Sequence, residues 1–220
     1  MTRTARLLAL LAFAAGLSVA SAGAQAQKTE TVNCIVAVVG MRAISLTDVR
    51  IVEAFGVLDA GGEADPARKR RVLVDRLIDQ KVVVDLAREN ISVEASRVEK
   101  AWTELLARLG RDEAKRRLEA FGAEPVDLLP YLEEKLLAEA VINKRFSRGA
   151  AVSIKEIEAY YAGTYAPARK SFGLPVSPLI DVADALENEI RRAKLAGQVE
   201  LWIKNLRGQT EIEIRPDCLK

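Results

Sequence analysis

The chain contains no histidine. That absence removes the imidazole on which most nucleophile triads, most zinc sites and most neutral-pH proton relays depend. Its two cysteines, Cys34 and Cys218, lie far apart and form no Cys-x-x-Cys pair. As a nucleophile, Cys34 would lack an imidazole base. A glycine-rich phosphate loop is also missing. Carboxylates do occur in pairs, such as Glu133 with Glu134 and Glu156 with Glu158. On charged amphipathic helices such pairs are far more often solvated faces than catalytic dyads. The residues therefore predict a protein that is not an enzyme, with no catalytic residue, no metal, no cofactor and no small-molecule substrate.

A surplus of one charge sign is missing as well. The full chain has 33 basic and 31 acidic residues, but Arg3 and Arg6 fall in an opening stretch without a single acid. Beyond residue 26 the chain is formally neutral, which gives no electrostatic reason to expect nucleic acid as a partner. Arg3 and Arg6 precede an apolar run over residues 7–17, and Ala24-Gln25-Ala26 forms a small-x-small site. This pattern predicts a secretory signal peptide over residues 1–26, cut after Ala26, and hence a periplasmic protein. The alternative is an uncleaved anchor, but the run falls short of the ~20 apolar residues that a spanning helix needs. Every later apolar run is interrupted by charge.

The apolar residues that remain are arranged mostly with helical spacing. Residues 32–39 form the exception: Val32, Ile35, Val36, Val38 and Val39 mark a strand, broken at Gly40 and resumed briefly at Ala43 and Ile44. Ser45, followed by Asp48, marks a helix start, with Thr47 as a rival cap. The other good strand is at the far end, where Ile212 and Ile214 alternate with charges over 210–215. A strand so apolar needs a partner, so the two ends are predicted to meet. In an exported protein, two cysteines are first read as a disulfide, and paired end strands would bring Cys34 and Cys218 together; two free thiols are the alternative.

Between the strands, helices are predicted over 47–58, 67–89, 94–109, 112–121 and 125–146, with Pro130 either kinking the last or starting it. The basic cluster Arg68 to Arg71 is read as a solvated helix start. Ser153 and Glu156 form a capping box that opens another helix, with Val152 and Ile157 as its hydrophobic staple. Residues 163–177, with Pro167, Gly173 and Pro175, read as an irregular linker. Ser177-Pro178 caps a final helix that runs to about Leu206, with Gly208 as its stop. Trp102, Tyr131, Phe146, Tyr160, Tyr161, Tyr165 and Trp202 either line a groove or belong to the core. An amphipathic chain of this kind does not bury every stripe, and exposed apolar patches mark binding surfaces.

The order of these elements resembles the non-catalytic module of the SurA and PpiD/PrsA group of exported chaperones. The resemblance is carried by IVAVVGMRAISLTDV (35–49), RLIDQKVVVDLARENISV (76–93), VSIKEIEAYYAGTY (152–165) and PLIDVADALENEIRRAKLAGQVELWIKNLRGQTEIEI (178–214). It implies a mainly α fold, the SurA N-terminal-like module, with a small sheet pairing the N- and C-terminal strands. The implied parts are a core over 27–162, a linker over 163–177 and a closing helix and strand over 178–220. In that group a parvulin-type isomerase domain, whose site uses histidines, sits where this chain has only the linker. The resemblance thus implies a holdase chaperone without the isomerase. It would bind unfolded or partly folded proteins without ATP, outer-membrane β-barrel precursors among them, through an apolar surface that no residue signature locates. Dimer formation is left open. The rival expectations are a dedicated assembly subunit for one folded partner and, less favoured, a prolyl isomerase with an unfamiliar site.

Overall fold

The computed structural model describes residues 33–86, 91–146 and 148–219. Residues 1–26, read from the sequence as a signal peptide, fall outside them. The first strand, β1 (Ile35–Val39), turns at Gly40 and Met41 into β2 (Arg42–Ser45), and β3 (Ile212–Ile214) returns from the far end of the chain. The order is β2-β1-β3, antiparallel throughout, so the ends of the chain meet as predicted. Gly40 has φ +56°, a conformation that costs an L-residue and costs glycine little. The β1–β2 register shifts between Ile35 and Ala37, so Val36 and Ala37, adjacent in sequence, are both fully buried. Backbone bonds clasp β3 at both ends: Gly40 N–H donates to the Glu211 carbonyl and Arg215 N–H to the Val36 carbonyl, both at 2.8 Å.

The helices follow from their caps. Helix α1 (Leu46–Phe55) starts at a full capping box, in which Ser45 and not Thr47 takes the cap position. It ends at Gly56 in the left-handed region, where Arg108 donates to the Phe55 and Gly56 carbonyls, each at 3.0 Å. Helix α2 (Pro66–Asp85) has Asp65 as its cap and Pro66 in its first turn. It is the central element: Leu73, Val74, Leu77, Ile78, Val82, Val83 and Val84 are all buried. Helices α3 (Ala95–Leu109) and α4 (Arg111–Phe121) form a hairpin beside α1, and α5 (Pro125–Arg145) returns across α2. Helix α5 starts at Pro125 and continues through Pro130.

Charges that sink into this body are paired, as partial burial requires. Glu134 on α5 takes Lys81 of α2 at 2.7 Å and Arg42 of β2 at 3.2 Å, and Arg42 also meets Asp85 at 2.7 Å. The Tyr131 hydroxyl donates to Asp48 at 2.6 Å, and Asp48 in turn holds the Ser45 cap. Burial and that bond push the Tyr131 hydroxyl well above its ordinary pKa. In the basic cluster, Lys69 and Arg70 lean onto Glu53 while Arg68 and Arg71 remain exposed.

Several boundaries differ from the sequence reading. Helix α1 stops at Gly56, short of 58, and α2 ends at Asp85, short of 89. Residues 163–171 are not an irregular linker. Helix α6 (Ile154–Tyr160) runs through a wide π turn (Tyr161–Tyr165) straight into α7 (Ala166–Ser171). Pro167 sits in the first turn of α7, and Gly163 is accommodated within the π turn, so neither breaks the helix. The final helix, α8 (Leu179–Gln209), has Pro178 and not Ser177 at its cap position, so no side chain caps it; the Ser177 carbonyl accepts the Tyr161 hydroxyl at 2.8 Å. It passes through Gly208 and stops at Thr210.

Cys34 precedes β1 and Cys218 follows β3, with their Cα atoms 6.1 Å apart and their sulfurs at disulfide distance. The loop so closed spans 184 residues. Chain entropy alone sets an upper contribution of about 5 kcal/mol. Alkylation and mass analysis of the non-reduced protein is expected to find no free thiol. Cys34→Ser is expected to lower unfolding stability by up to about 5 kcal/mol in urea titrations. Two alkylatable thiols in the native protein would contradict the pairing.

Candidate functional site

Helix α8 is 31 residues long, roughly 46 Å at the standard rise. No single core spans that length, and α8 serves two. Near its C-terminus, Trp202, Ile203 and Leu206 pack on the main body, whose core includes β1, α1, α2 and α5. Near its N-terminus, Leu186 and Ile190 are buried with Ile157 of α6 in a separate small cluster. The two buried stripes lie on opposite sides of the helix. At about 100° per residue, positions nine apart such as Ile190 and Val199, or Leu186 and Leu195, point in opposite directions. The helix turns its back on the arm formed with α6 at about the point where it begins to face the body.

A cleft of about 920 Å³ opens at that crossover, between α8 and the Arg76–Asp79 turn of α2. Leu195, Val199 and Ile203 provide its apolar floor. Leu195 and Val199 continue the body-facing stripe of α8 and remain partly exposed. The charged wall holds Arg76, Arg192, Lys204 and Arg207 against Asp79 and Glu200, a net charge of +2. Arg207 is committed to α2, donating to Asp79 at 2.9 Å and to Asp75 at 3.0 Å. Burial raises the Asp79 carboxyl above its usual range, and Arg207 pulls against that shift.

The arm is held by polar contacts as much as by apolar ones. Tyr161 and Tyr165 stack at 5.5 Å, and the Tyr160 hydroxyl donates to Glu189 at 2.6 Å. Lys194 reaches from α8 to Glu156 at 2.5 Å and to the Ala151 carbonyl at 2.9 Å. At the tip, Phe172 and Ile180 are 79% and 86% exposed, and Leu174 is exposed beside them. Helix α6, assigned from sequence to the main core, therefore belongs with the first half of α8.

The aromatic residues do not converge on one groove. Trp102 lines a second hollow of about 520 Å³ between α3 and α4, with Leu106, Leu118 and Pro125. Trp202 meets Phe146 edge-on at 5.6 Å under the Arg145 guanidinium, which ties α5 to α8. Tyr131 is fixed on Asp48, and the other three tyrosines lie in the arm. Of the carboxylate pairs, Glu134 is committed to Lys81 and Arg42, and Glu156 to its capping box and Lys194, while Glu133 and Glu158 are exposed. Among the described residues, no cluster of acidic, cysteine or histidine side chains is arranged to hold a metal ion. None of the helices there is long and apolar enough to cross a membrane.

Sequence reasoning did not single out Leu195, Val199, Arg192 or Lys204. The signal was the change of apolar phase within α8, from Leu186 and Ile190 to Leu195 and Val199 nine residues on. Leu201, beside Trp202 in the sequence, is 64% exposed. No protein-family model matches the chain, and a search of curated proteins finds no match.

The Glu156–Lys194 contact makes the arm acid-sensitive. The hydrogen bond from Lys194, reinforced by the Ser153 backbone, draws the Glu156 carboxyl from 4.5 down to about 2. A depressed carboxyl stabilises the folded state above its unfolded pKa, so this contribution is complete above about pH 4.5 and lost as pH falls toward 2. The protection factors of amides over 154–160, taken against the intrinsic exchange rate at each pH, are expected to fall across that window in the native protein. In Glu156→Gln they should already be lower at neutral pH, with little further acid response. An unchanged acid response in that variant would contradict the assignment.

Proposed function

We propose that the protein is an ATP-independent holdase chaperone, exported and cleaved after Ala26 to work in the periplasm. The observation that carries this reading is the partly exposed apolar stripe of α8, where Leu195 and Val199 line an open cleft beside α2. Exposed apolar surface on a folded chain has a cost in water and tends to mark a place where another apolar surface docks. Phe172, Leu174 and Ile180 at the arm tip add a second exposed apolar site well away along α8. Several separate shallow sites suit an unfolded chain, which can occupy them in turn.

Weak contacts at separate sites give useful avidity without a tight complex, and they release without an energy source. The clients are unfolded or partly folded proteins, with outer-membrane β-barrel precursors as the expected class. Support for the compartment comes from the Cys34–Cys218 pair, which is compatible with an oxidising environment. Support for the class comes from the resemblance to SurA-group chaperones along four segments of the chain.

Dilution of a urea-unfolded β-barrel protein into buffer, with and without the exported protein, tests the reading through light scattering. Suppression of aggregation at near-stoichiometric amounts, without ATP, is expected. No suppression across several unrelated unfolded clients would overturn the holdase reading. A single saturable complex with one folded protein would then identify a dedicated assembly subunit in its place.

A further inference from the structure

The two hollows of the body differ in charge. Between α3 and α4, Arg111 and Lys115 are balanced by Glu119 and Glu124. The α2–α8 cleft has four cations against two carboxylates, although the chain beyond residue 26 is formally neutral. Arg207 is already matched by Asp75 and Asp79. Arg192 and Lys204 are solvent-exposed and line opposite rims of the cleft, twelve residues apart on α8 and about a third of a turn apart around it. At the standard rise they are roughly 18 Å apart along the axis, so a segment of about five or six extended residues that crosses the floor obliquely comes within side-chain reach of both.

We infer that the α2–α8 cleft selects apolar client segments that carry acidic residues at their flanks. This rests on the holdase reading and specifies which part of a client the cleft takes. An apolar stretch of five or six residues covers Leu195, Val199 and Ile203, and its flanking carboxylates reach Arg192 at one end and Lys204 at the other. A segment flanked by lysine meets the same two cations and is repelled. The selection is electrostatic at a solvent-exposed rim. It is therefore modest and weakens as salt screens it over about 8 Å at physiological ionic strength.

The test uses the purified exported protein and two labelled peptides with the same apolar centre, one flanked by glutamates and the other by lysines. Fluorescence anisotropy is expected to show the glutamate peptide binding roughly tenfold tighter at low salt, with the gap narrowing at high salt. In R192Q/K204Q the gap is expected to close, and in R192E/K204E to reverse. The neutral pair keeps the test open if the charge-reversed variant does not fold, as checked by circular dichroism. Equal affinities in the native protein, or a preference that survives R192Q/K204Q, would overturn the inference. Failure to bind either peptide while aggregation suppression persists would overturn it and leave the holdase reading standing. Loss of suppression for every client would remove both.

Discussion

The fold depends on β1 being the middle strand of a three-stranded sheet. Val36, Ala37 and Val39 are fully buried in the main core, and the backbone of β1 is paired on both edges only when β2 closes on one side and β3 on the other. The second partner comes from the opposite end of the chain. Every helix from α1 to α8 is thus enclosed in a loop whose ends are joined by backbone hydrogen bonds and by the Cys34–Cys218 pair. Three residues of β3 make a slight clasp on their own. The cysteines beside it and the Arg207 ion pairs with α2 make it firm.

The same constraint explains why α8 is long and why it carries the candidate site. The chain leaves the body after α5, builds the α6–α7 arm, and must return to set β3 beside β1. Helix α8 makes that return in one piece and packs on the arm with one face and on the body with the other. A straight helix cannot change its packing face without a stretch that is fully covered by neither partner. Leu195 and Val199 occupy that stretch, so the cleft is a geometric consequence of how the fold closes. The arm itself rests on a small core of three buried side chains, Ile157, Leu186 and Ile190. It relies on tyrosine contacts and on Lys194 with Glu156 for the rest, which makes it the part of the described chain most open to local opening.

Much of the fold was legible in the sequence because local signals agreed. The Ser45–Asp48 and Ser153–Glu156 capping boxes, Pro66 in a first turn, and the glycines after α3 and α4 each act over a few residues. The meeting of the end strands was legible because two apolar strands in a helical chain have only each other. The stretch 163–171 misled because Pro167 and Gly163 are breakers only by position: the proline falls in a first turn and the glycine within a π turn. The cleft was not legible as a site. Arg192, Leu195, Val199 and Lys204 look like an ordinary amphipathic helix, and only the body on one side and the arm on the other show that their face is left open.

Amide hydrogen exchange of the protein, with and without a urea-diluted β-barrel client, tests the central claim most directly. The account predicts that the client slows exchange along α8 between residues 192 and 204, while amides of β1 and α2, already the slowest, do not change. Client-induced protection confined to other elements, or exchange in β1 as fast as in the α6–α7 arm, would contradict it.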